Sequence, residues 1–547
     1  MPLSRTGRVT GSLPTLASLA LLLLFLAAPL AMLGLQAFAP EGRPTLRVLT
    51  AYLTTPGLVW SLIDTALLAA GVVAVVVPLA FATAFALERS RIPFKGLLQA
   101  IASAPLLIPS LLPALALVYL FGRQGLLTPL FGGRTIYGAQ GVLLADVIAV
   151  FPHALIVLRT ALSAADGRLY EQARLLGAGP WRSFWRITLP GVRHGLVSAA
   201  VVAFSLTIAD VGAPKIVGGD FDVLALDIYK AVLGRQDFPT GAAAAVFLLL
   251  PSILAVIVER LAARRQAALV SSRATFYVPA PDLRRDLGLG ILCGLVAFAI
   301  LAVFLVCQWA ALVRLWPYDL SLSLGSYRLD AFDGGGWSAV LDSVGLGLAV
   351  AVLGSGFAFM GAYAAERSAA PGPLRFGLSA MALAPAAVPG LALGLAYVLF
   401  FNEPSNPLHT IYATFAILVV VTVVHFYTVA HLTLVSALKA LDPEFETAAQ
   451  VLGRSRLAVV GRVIAPLCAP ALIEVAVYLF VGATTTVSAV VFLYPPDVKL
   501  ASVAVLNMDD AGDVAPAAAM GMMIVYANLV VRALGLLARR LSERRRG

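Results

Sequence analysis

Apolar residues run in blocks of some twenty positions along this chain, and charged residues fall in the gaps between blocks. Ala66–Leu87 carries no charge at all. A membrane-crossing helix needs about 20 mostly apolar residues, and twelve segments meet that requirement: 14–37, 62–87, 97–121, 137–159, 195–218, 241–260, 288–313, 341–365, 376–400, 410–434, 469–493 and 516–538. The pattern predicts an all-α polytopic membrane protein with about twelve transmembrane helices. A transmembrane β-barrel would instead alternate in polarity over segments of about 10 residues. The first segment follows Arg5 and Arg8 and ends near Ala37-Phe38-Ala39, so it is read either as a cleaved signal peptide or as a retained helix. Its long apolar run favours the retained helix.

Composition agrees with the pattern. The 547 residues are 60% hydrophobic and 12% charged, with a mean hydropathy of +0.92. Soluble domains carry about 25% charged residues, so a water-soluble protein is excluded.

Charge supplies a test of the span count, because Lys and Arg collect on the cytoplasmic side of a membrane protein. With the N-terminus inside, cytoplasmic segments hold Arg89, Arg91 and Lys95, then six arginines from Arg159 to Arg193, and six from Arg260 to Arg285. Further on they hold Arg367 and Arg375, Lys439 to Arg462, and the basic tail. The opposite loops collect acids, as in Asp220, Asp222, Asp227 and Asp237, and again in Asp497, Asp509, Asp510 and Asp513. The net charge of +10 is thereby explained by topology, with both termini in the cytoplasm and no role for nucleic acid.

The two halves repeat. Glu88-Arg89-Ser90 recurs as Glu366-Arg367-Ser368, and Trp60-Ser61 with Asp64 as Trp337-Ser338 with Asp342. Ala104-Pro105 with Pro109 recurs as Ala384-Pro385 with Pro389, and Gly177 with Pro190 as Gly453 with Pro466. Each copy has six spans, an even number, so both insert in the same direction as tandem six-helix units. The expected organisation is an N-terminal helix and periplasmic loop (1–60), a first transmembrane domain (61–260), a cytoplasmic linker (261–287), a seventh helix and periplasmic loop (288–340), a second transmembrane domain (341–538) and a basic cytoplasmic tail (539–547).

Candidate chemistry is sparse. Cys293, Cys307 and Cys468 have no paired spacing and read as packing residues. None of the five lysines follows a glycine, so the chain has no phosphate-binding Gly-Lys-Ser/Thr loop, and any ATP used is bound by another chain. The five histidines show no metal-ligand spacing, and no nucleophile pairs with a base, which argues against a metal, a cofactor or an intramembrane enzyme.

The informative segment joins the fourth and fifth spans: Leu169-Tyr-Glu171-Gln-Ala173-Arg-Leu-Leu-Gly177, continuing to Ile187-Thr-Leu-Pro190. Its apolar spacing predicts a short helix, a turn at Gly177 and a second helix. The second copy runs Glu446-Thr447-Ala448-Ala449 to Gly453 and on to Pro466, with the same glycine-to-proline distance. These segments resemble the EAA loops of ABC importer permeases, and the resemblance extends over both six-helix halves. The first copy has Gln172 at the first alanine position. The second has Thr447 at the glutamate position and Glu446 one residue earlier. The resemblance implies a fused permease subunit in the bacterial inner membrane. Each loop would dock in a groove of a cytoplasmic ATP-binding subunit, two copies in all, and a periplasmic solute-binding protein would deliver the solute.

Intramembrane polar residues are candidates for the path. Asp146 and Glu474 lie toward span interiors. Asp210 and Lys215 flank Gly212 and Pro214, which interrupt a helix, and Thr484, Thr485, Thr486 and Ser488 occupy the matching stretch of the second half. Helix kinking and hydroxyl-to-backbone bonding are equally good reasons for these residues. Asp64 and Asp342 suit helix N-termini, and Pro105, Pro109, Pro385 and Pro389 are expected to kink paired helices. The stretches Asp210–Gly219, Leu224–Lys230 and Asn507–Asp513 resemble permeases assigned to 2-aminoethylphosphonate uptake, which are related to iron(III), polyamine and thiamine permeases. The competing class is an ATP-independent secondary transporter, which would need ion sites on broken helices and no matched docking loops.

Overall fold

The computed structural model describes residues 5–40, 42–268, 277–442, 444, 446 and 455–544. Among these, nine helices are long and apolar enough to cross a membrane, or eleven if each of two bent pairs counts as one span. The only strands among the described residues form a two-stranded antiparallel hairpin, Val313–Leu315 with Asp319–Leu322.

Where the span count differs from twelve, proline is the cause. The segment expected at 97–121 is not one helix: Lys95–Ala102 is followed by a 3-10 turn, Ala104–Leu107, and then by Leu111–Phe121. Ile108 stands in extended conformation (φ −117°, ψ 149°) immediately before Pro109, because the proline ring crowds its predecessor out of the helical region. The matching span of the second half breaks in the same way at Val388-Pro389, and the two pieces, Gly372–Ala387 and Gly390–Phe401, are bent by 111°. These prolines therefore break their helices, which is more than the kink expected of them. The spans expected at 195–218 and 469–493 are also shorter. Their helices end at Ala209 and Thr485, and the following residues, Asp210 and Thr486, are both extended.

The chain divides into two units. One comprises residues 47–328 and 508–522. Within it the Pro56–Arg89 helix buries Thr65, Leu68, Ala69, Val72, Val76, Ala80 and Ala84, a stripe at helical spacing, and packs on Ala139–Ser163. Leu189–Ala209 packs on both of these helices and on Phe238–Ala268. Leu283–Leu312, the seventh predicted span, packs on Leu111–Phe121 and Lys95–Ala102.

The other unit comprises residues up to 46, 329–507 and from 523 onward. Gly347, Gly354 and Gly361 recur every seventh residue along Gly336–Arg367, and an added Cβ would meet Phe480, Leu479 and Tyr427 respectively. Small residues at such a seam let membrane helices approach closely. The first helix, Ser12–Phe38, belongs to this unit. The Thr15 and Ser368 hydroxyls lie 2.9 Å apart, and the Tyr397 hydroxyl donates to the Phe25 carbonyl at 2.6 Å. Each half of the sequence thus has its leading helix in the unit of the other half. The repeat alone would have grouped residues 1–60 with the first half and 288–313 with the second.

Candidate functional site

The first of the two repeated loops begins at Asp166, whose carboxylate accepts from the Arg168 amide at 3.0 Å and caps the helix Gly167–Leu175. Gly177 follows with φ +71°, the left-handed conformation that ends helices and that a side chain resists. A second short helix starts at Pro180 and passes into a π-turn, Phe184–Thr188. Pro190 explains that turn. Its ring cannot donate to, and would clash with, the carbonyl four residues back, and the wider turn relieves both problems. The second half has a π-turn at the corresponding position, Val460–Ile464, ahead of Pro466. The glycine-to-proline spacing seen in the sequence therefore reaches from the end of one loop helix to the proline that widens the other.

The tip of the loop is apolar and uncovered. Leu175 and Leu176 are 84% and 85% exposed and Trp181 is 72% exposed, beside a cleft of about 210 Å³ lined by Ala173, Leu176, Ala178, Arg182, Ser183, Arg186 and Ile187. Glu171 is exposed on the same helix. The base is anchored: Phe184 packs edge-on to Phe85 at 5.8 Å, and the Tyr170 hydroxyl lies 2.9 Å from that of Thr188. A contiguous apolar tip on an anchored base is the form of a protein-docking surface.

In the second copy Thr447, Ala448, Ala449 and Gly453 lie outside the described residues. Glu446 is described and faces inward: it sits 3.8 Å from Arg367 and accepts from the Tyr363 hydroxyl at 3.3 Å. Arg367 also donates to the carbonyls of Leu438 and Leu441 at 2.8 and 2.6 Å. The acid one residue ahead of the glutamate position is therefore an internal anchor. No sequence signal identified it, because its partner lies on another helix.

The path candidates do not all converge. In the first unit Asp146 is buried close to Asp210, whose carboxylate accepts from the Ala213 amide at 2.9 Å. Lys215 pairs with Asp510 at 2.9 Å, with Tyr229 5.4 Å away. In the second unit the Thr484 hydroxyl donates to Asn528 at 2.8 Å, and Thr485 returns its hydroxyl to the Val481 carbonyl. Thr486 accepts from Ser502 through its carbonyl at 2.8 Å, and Ser488 packs against Gly390. Glu474 departs from its expected place in a span interior. Its side chain is 66% exposed and lies 3.7 Å from Arg539, within the basic end of the last helix.

Sequence reasoning missed a reciprocal feature at these breaks. In the first unit Ser110 stands against Gly212; in the second, Gly390 stands against Ser488. Positions 110 and 390 both follow the helix-breaking proline, and 212 and 488 correspond in the repeat. Each unit thus places one serine and one glycine at this crossing, with the roles exchanged.

Asp509 lies beside Lys215 and Asp510, and burial, followed by the Asp510 charge, pushes its carboxyl up to about 6 against the lowering effect of Lys215. Its charged form is disfavoured in the folded protein, so this group favours folding at low pH and loses that contribution as pH rises through about 6. Asp509→Asn is expected to raise the unfolding temperature at about pH 7.5, with the gain shrinking as pH falls below about 6 and vanishing below the ordinary carboxyl value of 3.8. A gain that does not change with pH would contradict this.

Two like-built sets of spans, each carrying a loop with an internally held base, define an integral membrane permease. The model of the family described as binding-protein-dependent transport system inner membrane component matches residues 76–268 and again 357–543, and the chain belongs to that family in its fused two-copy form. The ferric transport system permease protein FbpB of Actinobacillus pleuropneumoniae is 27% identical over 91% of this chain and 72% of its own length. The molybdenum transport system permease protein ModB of Escherichia coli K12 is 30% identical over 35% of this chain and 85% of its own. Among solved structures, a bacterial alginate ABC transporter in complex with alginate pentasaccharide-bound periplasmic protein aligns with 48% of this chain and 94% of that one, at 17% identity and a TM-score of 0.40. The protein is a multi-pass inner membrane permease of an ABC importer, and its relatives are transport permeases rather than enzymes.

Proposed function

We propose that this chain forms the whole solute path of an importer and couples it to two cytoplasmic ATP-binding subunits, one at each loop. Both termini lie on the cytoplasmic side in this reading, and a periplasmic binding protein delivers the solute. The observation that carries it is the first loop: an exposed leucine tip on a base fixed to the Pro56–Arg89 helix and to Thr188. Such a body passes a displacement into the spans without dissipating it in bending. Closure of the ATPase on ATP and arrival of loaded binding protein then bias one conformational equilibrium from its two ends.

Iron(III) is the first solute to test, because the relative that aligns with 91% of the chain is a ferric permease. The second is 2-aminoethylphosphonate, favoured by the resemblance of Asp210–Gly219, Leu224–Lys230 and Asn507–Asp513 to permeases assigned to that solute. Asp146, Asp210, Lys215 and Thr484 to Ser488 are the proposed path residues, and selectivity resides chiefly in the binding protein.

The test is copurification of an ATPase encoded beside this gene, together with hydrolysis stimulated by loaded binding protein. Gly177→Val with Gly453→Val is expected to abolish both while membrane insertion is retained, since valine resists the left-handed φ of Gly177. Retention of both properties by the double variant would reject the docking reading. Solute-driven transport without any ATPase would favour a secondary transporter.

A further inference from the structure

The bases of the two loops are held by different chemistry. At the end of the Pro56–Arg89 helix, Arg89 is buried, and its Nη2 donates to the Leu162 carbonyl at 2.7 Å. Its Nε has no hydrogen-bond acceptor. The guanidinium instead faces two rings, with the centre of Tyr170 at 5.1 Å and that of Tyr277 at 4.5 Å, and the rings themselves are 4.6 Å apart. The negative faces of the rings take up the charge that no acceptor meets.

Tyr170 belongs to the loop helix. Tyr277 does not: it comes from the segment expected to link the two halves. That segment is fastened along the same unit. Arg91 donates from Nε to the Pro279 carbonyl at 2.8 Å, and its amide to Asp286 at 3.2 Å. Arg285 donates to the Ala280 carbonyl at 2.6 Å and pairs with Asp286 at 2.8 Å.

The second half makes the contrast informative. Arg367 corresponds to Arg89, Leu438 to Leu162 and Glu446 to Tyr170. There the loop itself supplies a carboxylate 3.8 Å from the arginine, steadied by the Tyr363 hydroxyl from the arginine's own helix, so the charge is met by an opposite charge instead of by rings. In the first half the loop supplies only a ring. A single tyrosine leaves a buried guanidinium under-compensated, and Tyr277 supplies the second face.

We infer that Tyr277 is a positioning residue for the first docking loop, and that residues 277–286 form a strap clamping Arg89 onto Tyr170. The first loop then depends on the linker for its stiffness and the second does not. The inference rests on the reading that the loop takes its load from an ATPase, but the strap can be observed without one.

Two measurements on the full-length chain in lipid nanodiscs test it, using Tyr277→Ala, Tyr277→Phe and Tyr277→Ala combined with Tyr170→Glu. The first is hydrogen exchange over residues 167–176. Alanine is expected to speed it about thirtyfold, the worth of one desolvated ring contact, while phenylalanine keeps the parental rate. The second is ATP hydrolysis by the assembled importer. Alanine is expected to lower binding-protein-stimulated hydrolysis several-fold and to leave the basal rate unchanged. Phenylalanine is expected to retain the stimulation, and Tyr170→Glu to restore it by recreating the ion pair of the second half. Unchanged exchange in Tyr277→Ala overturns the strap. Faster exchange with undiminished stimulation overturns the positioning role. If exchange responds but the parental chain captures no ATPase, the strap contact stands, and it is the docking reading that fails, taking the positioning role with it.

Discussion

Gly390→Ser is expected to cripple the second unit, and Ser488→Gly in the same chain to restore it. A Cβ on Gly390 would fall against the Ser488 Oγ, with the Ser488 Cβ at 2.9 Å and the Ala489 amide nitrogen at 3.0 Å. Overpacking of this kind costs about 1–3 kcal/mol in a well-packed core. Here it falls where a helix restarts after Pro389 and a second chain segment leaves its helix after Thr485, so neither backbone can retreat within a regular helix. Removing the Ser488 side chain deletes the worst of the clash and leaves a serine opposite a glycine. That is the arrangement the first unit already has, where Gly212 would carry a Cβ 2.6 Å from the Ser110 Oγ. Unfolding temperature and transport by the two single variants and the double variant form a thermodynamic cycle. Additive effects of the two substitutions would show that the crossing does not couple them.

The second large effect concerns the docking tip. Leu175→Glu with Leu176→Glu is expected to weaken ATPase capture by about two to four powers of ten, because burying a leucine is worth about 1.5–3 kcal/mol and two are lost. Both side chains are more than four-fifths exposed, so the chain itself loses no packing and its unfolding temperature should hold. Titrating detergent-solubilised variants with the purified ATPase gives the affinities. Equal affinity for parent and variant would mean that the leucines face lipid headgroups instead of a protein groove.

Much of this arrangement is legible in the order of residues. Apolar blocks locate the spans, and a repeated glycine and proline mark the two loops. What stayed hidden depended on partners distant in sequence. Pro109 and Pro389 are plain in the sequence, but whether a proline kinks or breaks a helix depends on what supports the freed backbone, and the residues packed at these breaks, Gly212 and Ser488, lie about a hundred positions away. Glu446 stands one position ahead of the expected glutamate. Only Arg367 and Tyr363, on another helix, explain the displacement. The four hydroxyls from Thr484 to Ser488 suggested a polar lumen. Their geometry gives Thr485 to its own helix and Thr484 to Asn528. The exchange of leading helices had no sequence signal, since each is simply an apolar helix long enough to cross a membrane.

That exchange governs how the protein must be made. The first helix leaves the ribosome about 300 residues before Gly336–Arg367, the earliest made of the helices it packs against, and at about 5–20 residues per second it waits roughly 15–60 s for that partner. During that interval the helices it packs against within its own unit have yet to be made, whereas the seventh helix emerges after Lys95–Ala102 and Leu111–Phe121, its own neighbours, have been synthesised. Biogenesis of the two copies is therefore unequal in time, although their architecture is nearly equal in space. The amino-terminal helix is the point at which a translational pause or a missing insertase would first leave the protein half built.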